Sequence, residues 1–167
     1  MTQYKIVRLN GAALTALPRL PECNKLVEID LSCNLFRAFP QALQSLPHLQ
    51  ILNFGHNNIQ SVPKWIEDFK KLLVLILSHN QLKEVPEHIR ALKTLKTLDL
   101  SYNQIEVGPN NIGDLKDLEK LNVSDNRIKT PFVDPSNLPR LKKLMLHHND
   151  VQLTDLPITY LMHPSLE

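Results

Sequence analysis

Apolar residues recur along this chain in a frame that repeats every 23 residues. In one copy, Leu72, Leu75 and Leu77 precede Asn80 and Leu82, and the neighbouring copies carry apolar residues at the same places. A shorter opening copy has Ala12 where the others have asparagine, which brings the total to seven copies. The six asparagines that hold the common place are Asn34, Asn57, Asn80, Asn103, Asn126 and Asn149.

Each copy predicts one strand and one short helical segment. The alternation of Leu75 and Leu77 has the two-residue period of a strand with one buried face. Further along, Pro86, Ile89 and Leu92 recur every three residues, which suits a short helix or 3₁₀ turn. Because two such elements cannot enclose a core, the copies must stack and bury their leucines against their neighbours. The pattern therefore predicts an α/β solenoid, with a curved parallel sheet on its concave face and the helical segments on its convex face.

The repeated frame resembles the leucine-rich repeat, L-x-x-L-x-L-x-x-N-x-L, over essentially the whole chain. Four copies also resemble the L-P-x-x-I-x-x-L version of intracellular proteins such as the Ras-suppressor-like group; their prolines are Pro40, Pro63, Pro86 and Pro109. The last two copies depart from it, with Phe132 and Asp155 at the proline position and Pro135 at the isoleucine position. The resemblance implies a leucine-rich-repeat solenoid of seven copies.

Length and composition limit the alternatives. The chain has 167 residues, and we expect one domain: a degenerate copy over 1–25, six regular copies over 26–152, and a C-terminal cap or the start of further sequence over 153–167. The net charge of +2 is too small for a nucleic-acid surface built on net charge. The longest apolar run, 72–77, is too short to span a membrane. The absence of a secretory signal and the presence of two cysteines favour a cytoplasmic protein.

The asparagines have a predicted structural role rather than a binding role. Each one follows the strand, where the chain turns inward and its backbone N–H and C=O groups lose their partners in the sheet. A carboxamide carries two donors and an acceptor, so it can satisfy such groups in its own copy and in the adjacent one. We expect a buried ladder formed by Asn34, Asn57, Asn80, Asn103, Asn126 and Asn149.

The variable strand residues point away from the leucines and form the concave face. Three branched apolar side chains, Ile51, Val74 and Ile76, fall on adjacent strands there. An exposed apolar cluster with a polar rim is typical of a protein-binding surface. The predicted surface comprises Ile51, Asn53, His56, Val74, Ile76, His79, Thr97, Asp99, Tyr102 and Lys120.

Other kinds of site receive less support. His56 and His79 lie in adjacent copies, but zinc requires three or four ligands, so we expect no metal site and no cofactor. Four glycines cannot supply a phosphate-binding loop, and we expect no enzymatic activity.

The sequence thus predicts a non-catalytic module that binds a protein partner of unknown identity on its concave face. The alternatives are an adaptor or regulatory subunit of a signalling enzyme (a phosphatase, a small GTPase or ubiquitin machinery) and a pathogen effector that acts on host proteins. A monomer is favoured, although the N-terminal edge strand offers a possible dimer contact.

Overall fold

The strands of all seven copies join into one parallel sheet. The computed structural model describes residues 5–17, 23, 25–129, 133–152 and 158–160. Within these ranges the seven strands lie side by side in chain order. They are β1 (Ile6–Arg8), β2 (Glu28–Asp30), β3 (Ile51–Asn53), β4 (Val74–Ile76), β5 (Thr97–Asp99), β6 (Lys120–Asn122) and β7 (Lys143–Met145). The predicted seven-copy solenoid is confirmed.

The core is a stack of layers, one from each copy. In β4 the central Leu75 is fully buried, as are Leu72 before it and Leu77 after it. The corresponding residues at the C-terminal end, Leu144 and Leu146, are only partly buried. Among the described residues, each internal layer is covered on both sides by its neighbours, so stability depends on the stacking of copies.

Three convex segments form the expected 3₁₀ helices after their prolines: Gln41–Ser45, Lys64–Asp68 and Glu87–Ala91. The copy that begins at Pro109 differs, since its backbone forms successive turns instead. This copy has Asn110, Asn111 and Gly113 at the helical positions, and asparagine and glycine both disfavour a helical backbone.

The next copy again forms a short 3₁₀ helix, Pro135–Asn137, but a side chain caps it. Asp134 accepts a hydrogen bond from the Ser136 N–H at 2.9 Å and so caps the helix. Pro135 is buried at the position where other copies carry isoleucine, or leucine at Leu43. A further 3₁₀ helix, Ile158–Tyr160, lies against it.

Some expectations concern residues outside the described ranges. These are Tyr4 and Pro18 of the opening copy, Phe132 and Asp155 at the proline position, and most of the C-terminal segment, 153–157 and 161–167. Within the described part of the chain, no helix has the length and apolar character needed to cross a bilayer.

The asparagine that follows each strand from β2 to β7 bridges two copies. The Asn80 carboxamide nitrogen donates to the carbonyls of Phe54 (2.9 Å), Leu77 (3.1 Å) and Ser78 (3.1 Å). Its oxygen accepts the Ile59 N–H at 2.8 Å. One buried side chain thus satisfies four backbone groups, two of them in the preceding copy. The same pattern recurs at Asn57, Asn103 and Asn126.

Replacing Asn80 with Leu should lower the free energy of unfolding by about 2–4 kcal/mol, because several buried backbone groups lose their partners together. Asn149→Leu should cost less, since Asn149 is only partly buried and its third donor contact, to the His147 carbonyl, is 3.4 Å long. Urea denaturation measures both changes.

The exposed Asn110 provides a control of the same chemistry. Asn110→Leu should change the free energy of unfolding by no more than about 0.5 kcal/mol. If Asn80→Leu lowers the free energy of unfolding no more than Asn110→Leu does, the bridging role of Asn80 is contradicted.

Candidate functional site

The pairing of the strands aligns their outward residues in two rows across the concave face. The rows are those predicted from the asparagine spacing, and the register is therefore confirmed. The first row contains Ile51, Val74, Thr97 and Lys120, and the second contains Asn53, Ile76, Asp99 and Asn122.

An apolar patch lies at the centre of these rows. Ile51 pairs directly with Val74, and Ile76 stands two residues after Val74 on the same face of β4. All three side chains are half-buried by their neighbours. Thr97 is half-buried beside Val74, while Lys120 on β6 is exposed. The strands thus bring together the three apolar side chains and leave Lys120 two strands away from Val74.

Most residues of the second row stabilise the end of their own strand. Asp99 Oδ1 accepts the backbone N–H of Ser101 at 3.0 Å and the Ser101 hydroxyl at 2.7 Å. Asn53 Oδ1 accepts the Gly55 N–H at 2.9 Å in the same manner. Such short-range bonds favour aspartate and asparagine where a strand turns. The polar character of Asp99 and Asn53 therefore has a local cause, which the repeat pattern alone does not reveal.

Ile76 departs from this rule in the middle of the sheet, as Arg8 and Met145 do on the first and last strands. Its counterparts in four other strands have an oxygen that accepts the N–H two residues further on: Asp30, Asn53, Asp99 and Asn122. Isoleucine has no such acceptor, and its side chain lies on the sheet face opposite the buried Leu75 and Leu77. Neither the strand end nor the core accounts for an apolar residue at this place.

A stack of three rings lies beside the patch, where β3, β4 and β5 end. The ring centroids of His56 and His79 are 3.9 Å apart with planes 12° from parallel. Those of His79 and Tyr102 are 4.1 Å apart with planes at 8°. Tyr102 is half exposed and His56 is exposed. The sequence placed these residues in one row but gave no sign that their rings would stack.

The backbone explains how the rings reach this arrangement. His56, His79 and Tyr102 have φ angles of 56°, 53° and 52°, in the left-handed region that non-glycine residues seldom occupy. Each backbone N–H donates to the serine carbonyl of the next copy, as from His79 to Ser101 at 2.9 Å. The same conformation in successive copies, set one strand spacing apart, gives the side chains parallel directions.

The stacked geometry prevents the imidazoles of His56 and His79 from binding one metal ion together. The lone pair of an imidazole nitrogen lies in the ring plane, and two nearly parallel planes 3.9 Å apart do not meet at one ion. Partial burial lowers the pKa of His79, and the charge of a protonated His56 lowers it further. The carboxylates of Asp99 and Asp125 oppose this and favour the protonated ring.

A second cluster of ionisable groups lies at the ends of β6 and β7. His148 Nδ1 is 2.8 Å from Asp125 Oδ1, and His147 Nε2 is 3.8 Å from Asp125 Oδ2. The two imidazole rings are nearly perpendicular, at 86°. Burial alone would raise the pKa of Asp125, but hydrogen bonds from His148 and Ser124 and the charge of both imidazoles hold it below the usual range. The sequence pattern by itself does not show that Asp125, His147 and His148 meet.

Comparisons with known proteins agree on the type of repeat. The model of a family described as "Leucine-rich repeat region" matches residues 7–156. A leucine-rich-repeat protein of Leptospira interrogans is 28% identical, with a TM-score of 0.72 over 87% of this chain and 42% of its own. An internalin of Listeria monocytogenes is 25% identical, with a TM-score of 0.70 over 80% of this chain and 38% of its own.

A third solved structure shares the fold alone. Internalin C2 of Listeria monocytogenes is 21% identical, with a TM-score of 0.83 over 97% of this chain and 68% of its own. The chain spans less than half the length of the first two proteins. The Ras-suppressor-like class suggested by the sequence stays a prediction.

Replacing His56 with Asn should raise the pKa of His79 toward that of free imidazole, about 6.5, because a neighbouring positive charge is removed. Asparagine tolerates the left-handed backbone. An NMR titration of the His79 ring protons measures the change. Because folding lowers this pKa, His79 makes folding less favourable as the pH falls below about 6.5.

His88 on the convex 3₁₀ helix offers the control. His88→Asn should leave the His79 titration unchanged, since His88 is not among the groups that shift it. If His79 titrates at the same pH with and without the His56 imidazole, the two rings are not coupled.

Proposed function

The chain belongs to the leucine-rich-repeat family, and on that premise we propose that it is a non-catalytic module that binds a partner protein. The binding surface consists of the apolar patch (Ile51, Val74 and Ile76) and the stacked rings beside it (His56, His79 and Tyr102). We refer to these six residues as the concave surface.

The identity of residue 76 is the observation that carries the proposal. An aspartate or asparagine at this row position stabilises the strand end in four other copies. Ile76 forgoes that hydrogen bond and keeps an apolar side chain on the face turned away from the core. Together with Ile51 and Val74, it makes a cluster that a partner can desolvate, and such clusters are typical of protein interfaces.

The surroundings of the patch also suit a protein partner. Tyrosine is enriched among residues that contribute most to interface energy, and Tyr102 is half exposed at the end of the ring stack. Asn53, Thr97, Asp99 and Lys120 supply a polar rim on the neighbouring strands. Because Asn53 and Asp99 are already held by backbone N–H groups, they add little new ordering cost when a partner docks.

The more specific roles raised by the sequence stay predictions. An adaptor or regulatory subunit and a pathogen effector would use the same surface, so the identity of the partner distinguishes them. Cytoplasmic location also stays a prediction; the exposed Cys33, which forms no disulfide, suits a reducing compartment. Whether β1 mediates a dimer through its outer edge is equally open to measurement by analytical ultracentrifugation.

Ile76→Asp tests the surface directly. The variant should fold normally, because aspartate at this position serves the strand end in β2 and β5. It should weaken partner binding by about 2 kcal/mol or more, roughly 30-fold in affinity, since a charge replaces a central apolar side chain. Proteins captured from source-cell lysate by the wild type are identified, and the affinity of each for the variant is measured with purified components.

Val107→Asp is the matched control, since Val107 is a branched apolar residue, half exposed, outside the sheet. It should bind the captured partner as the wild type does. Equal affinity of the Ile76 variant and the wild type would place the binding surface elsewhere, and unfolding of that variant would refute the side-chain direction described for residue 76.

A further inference from the structure

We propose that Asp125, His147 and His148 form a binding site for a divalent transition-metal ion of the zinc type. These residues follow the last two strands, β6 and β7, and are separate from the six residues of the concave surface. Their side chains offer two imidazole nitrogens and a carboxylate oxygen that all lie within 4.8 Å of one another. Imidazole and carboxylate together are a ligand set that zinc commonly takes in proteins.

The repeat brings the three ligands together by its register. Asp125 and His148 occupy the same place in adjacent copies, with φ angles of 53° and 54°, and their side chains therefore leave the backbone in similar directions. The Asp125 N–H donates to the His147 carbonyl at 3.0 Å. The Asn149 carboxamide holds the same carbonyl from within its own copy at 3.4 Å. The backbone beneath the cluster is thus fixed before any ion binds.

The separations between the ligand atoms suit one ion. A zinc ion lies about 2.0–2.2 Å from nitrogen and oxygen ligands, which sets tetrahedral ligand atoms about 3.4 Å apart. The His148 Nδ1–Asp125 Oδ1 distance is 2.8 Å and the His147 Nε2–Asp125 Oδ2 distance is 3.8 Å, on either side of that value. All three ligand atoms lie within 4.8 Å of one another, so rotation of the side chains has to bring the longer separations to about 3.4 Å when the ion binds. A fourth position stays open for water.

The orientation of the rings distinguishes this cluster from the stacked pair. The planes of His147 and His148 are 86° apart with centroids separated by 5.0 Å, and in-plane lone pairs of perpendicular rings are able to converge on one point. The rings of His56 and His79 are nearly parallel, so their in-plane lone pairs do not converge on one point. The cluster therefore has the geometry that the more conspicuous histidine pair lacks.

Position 147 explains why the site occurs at this place in the repeat. The five preceding regular copies carry small residues at the equivalent position: Ser32, Gly55, Ser78, Ser101 and Ser124. Asp125 and His148 alone would be an ordinary ion pair. The histidine at 147 adds a third ligand to them. The nearest lysines on these strands, Lys120 and Lys143, start the strands and stand four or five residues away.

The experiment uses the full chain purified without a histidine tag. Titration calorimetry with ZnCl₂ gives the affinity and stoichiometry, and substitution with Co²⁺ gives visible absorption bands that report a tetrahedral site. The wild type should bind one equivalent of zinc. His147→Ser, which installs the residue of four other copies, should lower the affinity at least tenfold. His148→Asn, in which asparagine suits the left-handed backbone, should do the same.

His56→Asn is the matched control, because it removes one exposed imidazole from the same left-handed position in another copy. It should bind zinc within twofold of the wild type. Urea denaturation establishes that each variant is folded. Failure of the wild type to bind zinc at millimolar concentration would overturn the proposal. So would an equal loss of zinc affinity in His147→Ser and His56→Asn. Partner capture through Ile76 is a separate measurement, so either proposal can fail without the other.

Discussion

Each copy of this solenoid has to leave its strand after only three residues and turn into the interior without leaving buried backbone groups unpaired. An unpaired amide or carbonyl in such a place costs about as much as the net gain from one or more hydrogen bonds. The asparagine carboxamide removes that cost, as Asn80 does by satisfying four backbone groups in two copies. Because each asparagine reaches into the preceding copy, it also fixes the distance and register between copies.

The register in turn determines what the surface offers. Once consecutive strands are aligned by these bridges, equivalent residues stand side by side across the sheet. The left-handed turn that precedes each asparagine is repeated with nearly the same φ angle, 53° at His79 and 52° at Tyr102. Side chains at that turn are therefore held parallel, and planar ones stack. The ring stack is thus a consequence of the backbone bridging and not of an independent motif.

The sequence was sufficient to predict the rows of the concave face, because a constant spacing between asparagines leaves one consistent alignment. It predicted that Ile51, Val74 and Ile76 would be neighbours. It did not reveal that Asp99 is held by the Ser101 N–H and hydroxyl, because a single aspartate has many local partners open to it. The convex side was less predictable still: Asn110 and Gly113 replace a 3₁₀ helix by turns although Pro109 and Ile112 preserve the apolar spacing.

A repeat protein makes its functional residues visible through the positions at which a copy breaks a rule that most of the others keep. An exception is informative only where the rule has a known physical cause. At the strand end that cause is the side-chain oxygen, which accepts the N–H two residues further on. Ile76 gives up that acceptor, so its apolar side chain has to be explained by something outside the fold. His147 is an exception of the same kind, since the five preceding regular copies carry serine or glycine beside the turn. Exposure by itself does not separate functional residues from residues that are exposed because of their place in the fold. Ile6 is nearly as exposed as Tyr102. Ile6, however, lies on the edge strand β1, whose outer side has no strand paired to it in the described chain. Departures from the repeat's own requirements are therefore the stronger basis for inferring function here.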